Sequence, residues 1–323
     1  MSWRFAVTAV GVLCAGAALS QPADNFPDKP IRVVVASAAG GASDIVSRIV
    51  AEKLTQKFGQ PVVVEAKPGA NGNLAAEFVA AAPADGYTLM MGTIGAMAIN
   101  VSLYKNVRFD PLKDFVPVAR MVSFSNVLVV RSSLPVNSMK ELIEYARPRP
   151  DTLKYGSPGA GGSPHMAMVM FDKMAALKLV HVPYKGAAPA LNDLMGGHID
   201  LAFSDPLLTL SHLQGGRIRA LAVSGPTRLK SAPNIPTVAE AGLPGYNVTG
   251  WLGFVAPRGT PEARVRRLNA AINEALALPD VQAKLTEMGA DVIPGTPQEF
   301  GELIRSEHAR WKAVIQEQKL AAD

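Results

Sequence analysis

The stretch from Ile31 to Phe58 reads IRVVVASAAGGASDIVSRIVAEKLTQKF. It opens with β-branched residues, which predict a buried strand, and passes through the small-residue loop AAGGASD. From Ile45 onward the apolar residues follow helical spacing. A strand, a glycine loop and a helix in this order are typical of α/β proteins, so this stretch decides the predicted fold class.

The same alternation continues downstream. A second strand, PVVVEAK, is followed by the loop PGANGN, by a helix predicted over Leu74 to Ala82, and by the strand DGYTLMMGT. Strands that alternate with helices favour mostly parallel sheets flanked by helices on their faces.

Two polar and aromatic strands, Val116–Val130 and Val248–Pro257, interrupt this alternation. Between them lies a second set of strands and helices, so we expect the chain to cross between domains twice and to form a hinge there. The predicted first domain comprises residues 26–123 and 248–323, and the second comprises 124–247. About 300 residues suffice for two cores.

Residues 1–20, MSWRFAVTAVGVLCAGAALS, have the layout of a secretory signal peptide. Arg4 precedes an apolar run from Phe5 to Leu19, which is shorter than the roughly 20 residues of a membrane-spanning helix. Small residues allow cleavage near Ser20. Cleavage would remove the single cysteine, Cys14, so the exported protein is predicted to form no disulfide and no thiolate metal site.

Charge and motifs argue against several function classes. The net charge of +5, or +4 without Arg4, is spread along the chain, which disfavours nucleic-acid binding but favours the approach of anionic solutes. We find no GxGxxG, GxxxxGK[ST] or GxSxG motif, and the histidines show no metal-ligand spacing. The sequence therefore predicts no cofactor, no metal and no catalytic residue. A nucleophile pair of Ser157 and His165 is a weaker alternative.

Four loops rich in small residues follow predicted strands: Ser37–Asp44, Pro68–Asn73, Gly92–Ala96 and Gly156–Ser163. The carboxyl ends of strands line the ligand crevice in α/β sheets, and glycine lets backbone N–H groups approach an anion at a helix N-terminus. These loops therefore predict carboxylate binding. Asp44 has two interpretations: it stabilises the start of its helix, or it orders the loop and holds a bridging water or a ligand amino group.

At this point the chain resembles a known family, the Bug or TctC-like solute receptors of tripartite tricarboxylate transporters. The resemblance covers nearly all of the exported chain and rests on FPDKPIRVVV, GGASD, GQPVVVEAKPGANG, PADGYTLMMGT, YGSPGAGGSPH, HVPYKGAAPALNDLMGGHIDLAF, GRIRALAVS, IPTVAEAGLPGY and GTPEARVRRLNAAI. It implies an α/β, two-domain periplasmic-binding-protein (Venus-flytrap) architecture with the ligand between the domains.

The resemblance also implies the binding residues. In the first domain these are Ser37, Ala38, Ala39, Gly40, Gly41, Asp44, Gly69, Ala70, Asn71, Gly72 and Thr93. In the second they are Ser157, Gly159, Ala160, Gly161, Ser163, His165, Tyr184, Lys185 and Asp205. Each of three residues has an alternative role without ligand contact. Tyr184 would cap the sheet edge, His165 would bond to the preceding loop, and Asp205 would be solvated.

The implied function is capture of a small organic carboxylate in the periplasm, by a monomer that catalyses no reaction and docks transiently onto integral membrane transporter subunits. The alternatives are a receptor that feeds a signalling system and an enzyme on the same scaffold. The family usually has proline and then an aromatic residue before the first glycine loop, whereas this chain has Ala36 to Ala39, so a roomier and more polar pocket floor is expected.

Overall fold

The structure is a computed structural model and describes residues 25–322. The predicted signal peptide, residues 1–20, lies outside the described residues. Within residues 25–322, no helix has both the length and the apolar character needed to cross a membrane.

The first part of the chain alternates between strands and helices and contributes to a six-stranded sheet. Two irregular segments stand at its loops: a 3-10 turn, Ala70–Gly72, and a π-helical segment, Gly95–Ile99. The regular elements are β1 (Ile31–Val35), α1 (Ala42–Phe58), β2 (Val62–Ala66), α2 (Asn73–Ala80), β3 (Thr88–Thr93), α3 (Asn100–Leu103) and β4 (Phe115–Ser125).

The middle part forms a five-stranded sheet with its own helices. Its elements are β5 (Val127–Arg131), α4 (Met139–Ala146), β6 (Lys154–Ser157), α5 (Ser163–Ala175), β7 (Val180–Pro183), α6 (Ala187–Gly196), β8 (Leu201–Ser204), α7 (Pro206–Leu213) and β9 (Ile218–Val223). The sequence analysis missed α7, whose short segment PLLTLSHL lacks a clear apolar face.

The last part returns to the six-stranded sheet. Its elements are β10 (Thr249–Pro257), α8 (Glu262–Ala277), α9 (Pro279–Glu287), β11 (Ala290–Val292) and α10 (Pro297–Glu317). Trp251 on β10 and Trp311 on α10 are both fully buried, so the returning segment is part of the core.

The strand orders are β11-β4-β10-β3-β1-β2 and β7-β6-β8-β5-β9. Pairing is parallel for β1 with β2 and β3, and for β6 with β7 and β8. The other pairings, which involve the crossing strands β4, β5 and β10, are antiparallel. The sheets are thus more mixed than the sequence predicts, because β5 and β10, which enter from the other sheet, pair antiparallel, and so do β4 and β11.

The chain passes between the sheets at two adjacent points. The predicted strand Val116–Val130 divides at Asn126, and its two halves join different sheets. The Asn126 N–H donates to Ser224 Oγ at 2.8 Å, and that hydroxyl donates to the Val248 carbonyl at 2.6 Å. One buried serine therefore ties the first crossing to the second, as expected for a hinge.

Candidate ligand-binding site

The loops that follow β1, β2 and β3 converge at one edge of the first sheet, because these strands run parallel. Gly72 lies at the meeting point with a left-handed φ of +98°. A Cβ added there would lie 3.1 Å from Ala36 Cβ and 3.3 Å from Ala96 Cβ. Thr93 ends β3, and its Oγ1 accepts the Ala96 N–H at 3.2 Å. Gly72 of the second loop therefore lies close to the residue that precedes the first loop and to the end of the third loop.

Asp44 holds the first glycine loop in place. It is buried, and its carboxylate accepts the Gly40 N–H at 3.0 Å and the Arg48 guanidinium at 2.9 to 3.0 Å. Burial by itself raises the pKa of the Asp44 carboxyl, but the hydrogen bonds from Arg48 and Gly40 and the Arg48 charge shift the pKa downward overall. Ser43 Oγ also donates to Ser37 Oγ at 2.7 Å. Asp44 thus orders the loop.

The second loop has a strained backbone, with left-handed φ values of +44° at Ala70 and +50° at Asn71. The sequence analysis missed the residue that supports it, Asn100, which is fully buried after the π-helical segment. Asn100 donates to the Asn71 carbonyl at 3.0 Å and to Asn73 Oδ1 at 2.6 Å, and it accepts from Asn71 Nδ2 at 3.1 Å. No local pattern marks Asn100, because its partners lie 27 and 29 residues away.

In the second domain, the rings of Tyr155, His181 and His165 stack beneath the loop that follows β6. His181 lies 4.8 Å from Tyr155 and 4.2 Å from His165 between ring centroids. Ser157 Oγ lies 2.7 Å from His181 Nε2, and the Gly161 N–H donates to His165 Nδ1 at 3.2 Å. Ser157 therefore pairs with His181 rather than with His165, and His165 bonds to the preceding loop.

Burial keeps both histidines neutral. Desolvation lowers the pKa of His165 to about 3, with a further contribution from His181, and lowers the pKa of His181 to about 4. Ser157 is fully buried. A buried hydroxyl next to so weak a base is poorly suited to nucleophilic catalysis, because attack needs an accessible hydroxyl and a base that takes up its proton.

These histidines predict acid sensitivity. Because their pKa values in the folded protein are depressed below about 6.5, the unfolded state binds more protons at acidic pH. The contribution to the free energy of unfolding is complete above pH ~6.5 and falls as the pH drops toward 4. We expect His181→Gln to reduce this fall in urea denaturation between pH 7 and pH 4.5. The exposed His198→Gln is the control, and parallel pH profiles for all three proteins would refute the prediction.

Three predicted contact residues stand at the ends of β7 and β8. The Tyr184 hydroxyl donates to Asp193 Oδ2 at 2.7 Å within the same domain, so it is held by α6. Lys185 is exposed. Asp205 is partly buried and precedes α7. Lys185 and Asp205 follow strands that pair in parallel with β6, so both lie at the sheet edge that carries Ser157 and its loop.

The two domains touch across the cleft through these loops. A Cβ added to Gly161 would lie 2.8 Å from Asn100 Oδ1 and 3.0 Å from Asn71 Nδ2. The Tyr104 hydroxyl, which the sequence analysis missed, donates to the Ala160 carbonyl at 3.0 Å. Ala160 and Gly161 of the second domain thus lie against Tyr104, Asn100 and Asn71 of the first domain across the cleft.

The hydrogen bond of Tyr104 between the domains should contribute measurably to closure of the cleft. We expect Tyr104→Phe to weaken ligand affinity by roughly three- to tenfold, because one hydrogen bond between the domains, worth about 0.5 to 1.5 kcal/mol, is lost from the closed form only. Titration calorimetry would measure the change. Tyr145→Phe on α4 is the matched control, and equal affinities for the two variants would contradict a role in closure.

The helices that start at the cleft lack side-chain caps. The residues before α1, α2, α5 and α6 are glycines, and the side chain of Asp205 before α7 accepts no capping hydrogen bond. Among the other helices, α4 and α10 are capped by the side chains of Ser138 and Thr296, whereas α8 and α9 also lack a side-chain cap. The first N–H groups of a helix need acceptors and carry partial positive charge. Uncapped N-termini on both sides therefore make the cleft suited to an anion.

Known proteins resemble this chain over nearly its full length. It is 37% identical over 305 residues to a UPF0065 protein from the tcbD-tcbE intergenic region of Pseudomonas sp. strain P51, covering 94% of this chain and 90% of that one. It is 32% identical to protein BugT of Bordetella pertussis, over 98% of both chains.

Solved structures share the fold. An R. palustris protein solved with adipate has a TM-score of 0.87 and 38% identity, over 92% of this chain and 99% of that one. MatC from Rhodopseudomonas palustris, solved with malate, has a TM-score of 0.83 and 34% identity, over 90% of this chain and all of that one. The α/β, two-domain periplasmic-binding-protein fold class is therefore confirmed. Residues 46–320 match the model of the tripartite tricarboxylate transporter family receptor, TctC, and the chain belongs to this family of periplasmic solute-binding receptors.

Proposed function

We propose that this protein captures a small organic carboxylate in the cleft between its domains and delivers it to the membrane subunits of a tripartite tricarboxylate transporter. The observation that carries the proposal is the set of uncapped helix N-termini that face the cleft from both sheets. Relatives that were solved with adipate and malate support the same ligand class.

In this proposal the carboxylate is held mainly by the first domain. The loop from Ser37 to Gly41 presents backbone N–H groups and small side chains to one end of the ligand, with the loop from Gly69 to Gly72 beside it. The loop from Ser157 to Ser163, together with His165, Tyr184 and Lys185, closes over the other end. Hydrogen bonds to a charged carboxylate strengthen when the closed cleft excludes water.

The domain bounds belong to the same proposal: residues 26–123 with 248–323, and residues 124–247. β4 continues to Ser125, so the first crossing falls just beyond residue 123. We further propose that residues 1–20 direct export and are cleaved near Ser20, and that the protein acts as a periplasmic monomer without catalytic activity. Closure of the cleft would be the change that the transporter recognises.

A thermal-shift screen tests the proposal and identifies the ligand. Residues 21–323 would be heated with mono-, di- and tricarboxylates, amino acids and aromatic acids, each paired with its amide. A ligand at 100 times its dissociation constant stabilises the folded state by about 2.7 kcal/mol. We expect at least one acid to raise the melting temperature while its amide does not. If every acid and its amide act alike, carboxylate recognition is refuted.

A further inference from the structure

Asn126 stands at the first crossing between the two sheets and is fully buried. Its backbone binds Ser224, which follows β9 where the second crossing begins. The Asn126 N–H donates to Ser224 Oγ, and the Asn126 carbonyl accepts the Ser224 N–H, both at 2.8 Å. Beside this pair, a Cβ added to Gly225 would overlap Ser125 Oγ. The two crossings therefore form one tightly packed joint, and Asn126 is part of it.

The side chain of Asn126 extends from this joint to a helix that packs on the second sheet. Asn126 Nδ2 donates to Ser163 Oγ at 2.7 Å, although 37 residues separate the two in sequence. Ser163 is the first residue of α5 and is buried. Its hydroxyl also lies against β10 of the first sheet, because a Cβ added to Gly250 would lie 2.9 Å from Ser163 Oγ. The hydroxyl of Ser163 thus meets the hinge and the first sheet at one point.

The start of α5 adjoins the loop from Ser157 to Ser163, which is proposed to form one side of the ligand cleft. Gly162 precedes the helix, and no side chain caps it. The first N–H groups of α5 therefore carry a partial positive charge that no side chain of the cap residue offsets. Their direction depends on where Ser163 is held. The hydrogen bond from Asn126 to Ser163 therefore orients these N–H groups relative to the hinge.

We propose that Asn126 is a positioning residue that couples the ligand loop at the start of α5 to the hinge, so that ligand contact at this loop and bending of the hinge occur together. This inference rests on the proposed function, because it takes the loop from Ser157 to Ser163 as one side of the ligand cleft. Energetic coupling between separate parts of a protein is carried by packed side chains and hydrogen bonds. Asn126 supplies such a connection and acts on the ligand only through Ser163.

Titration calorimetry on residues 21–323 tests this coupling. The probe is adipate or malate, or another acid of the thermal-shift panel if that acid stabilises the wild type more. We expect Asn126→Ala to weaken probe affinity by about three- to tenfold, which is the range for one lost hydrogen bond. Because Asn126 acts through Ser163, the same substitution should weaken affinity by less than about twofold when Ser163→Ala is already present.

Asn269→Ala is the matched control. The Asn269 amide on α8 also joins separate elements, because it donates to the Val118 carbonyl at 2.8 Å and to the Gly295 carbonyl at 2.9 Å. None of these three residues belongs to the hinge or to a loop proposed to bind the ligand. Both asparagine variants should unfold at lower urea concentrations than the wild type, and only Asn126→Ala should lose affinity.

The inference is overturned if Asn126→Ala keeps wild-type affinity, or if its full effect persists in the Ser163→Ala background. In either case the proposed function stands, since an acid still binds the wild type. If no acid binds the wild type, both fail.

If Asn126→Ala does not fold, Ser163→Ala breaks the same hydrogen bond from the helix side. Hydrogen exchange at a saturating concentration of the probe then decides, because it reports local opening at single N–H groups. In the wild type, the probe should slow exchange of the Asn126 and Ser224 N–H groups at the hinge. Most of this slowing should be lost in Ser163→Ala, and equal slowing in both proteins would overturn the inference.

Discussion

Gly161→Ala is expected to lower ligand affinity about 100-fold, because overpacking a tight contact costs about 1 to 3 kcal/mol. The added Cβ would lie 2.8 Å from Asn100 Oδ1 and 3.0 Å from Leu103 Cδ2, and both belong to the opposite domain. We expect this contact to be lost when the cleft opens, so that an open form would tolerate the methyl group. Ligand binding requires closure. The free-energy cost that the methyl group adds to the closed form therefore weakens ligand affinity by the same amount.

The Gly161→Ala variant needs a control for backbone strain. Gly161 has a left-handed φ of +83°, and alanine in that conformation costs about 1 to 2 kcal/mol. Gly216→Ala provides it, since Gly216 has a φ of +66° and no atom within 4 Å of an added Cβ. Both variants should unfold at similarly reduced urea concentrations, and only Gly161→Ala should lose affinity in titration calorimetry. Equal affinities would show that Gly161 does not limit closure.

Gly41→Val is expected to abolish carboxylate binding while leaving the fold intact. A Cβ at Gly41 would lie 2.9 Å from Ser37 Cβ and Oγ and 3.2 Å from the Ala38 carbonyl. Valine would therefore displace the loop and break its turn, in which the Gly41 N–H donates to the Ala38 carbonyl at 3.1 Å. The N–H groups proposed to hold the carboxylate would no longer converge.

Gly215→Val is the control for Gly41→Val. Gly215 also lacks a left-handed φ, and an added Cβ there would make only an ordinary contact, 3.5 Å from the His212 carbonyl. Circular dichroism should show both variants folded, and the thermal shift caused by the best acid should disappear only in Gly41→Val. If that shift persists, the loop from Ser37 to Gly41 does not bind the ligand.

The sequence predicted the local architecture well because strand and helix patterns are short-range. The strand, glycine loop and helix from Ile31 to Phe58 form as predicted, with the helix beginning at Ala42 rather than at Ile45. The segment Val116–Val130 was predicted as a crossing between domains, and the structure shows that the chain changes sheets there, at Asn126. The four loops at strand ends remain a prediction of where the ligand binds.

Long-range side-chain pairing at the cleft could not be predicted in the same way. Asn100 and Tyr104 follow a π-helical segment that has no marked sequence pattern. Asn100 pairs with Asn71 of its own domain, and Tyr104 bonds to the Ala160 carbonyl of the other domain. No local pattern marks His181, because its partner Ser157 lies 24 residues earlier. Such contacts arise from tertiary placement, so only the loops, and not their supports, were predictable.

A crystal structure with the best-binding acid would test the central claim most directly. We expect the domains closed around the ligand, with one carboxylate hydrogen-bonded, directly or through one water, to N–H groups of the loop from Ser37 to Gly41. The loop from Ser157 to Ser163 should contact the other end of the same molecule. A ligand bound outside the cleft, or with its carboxylate away from the first loop, would contradict the account.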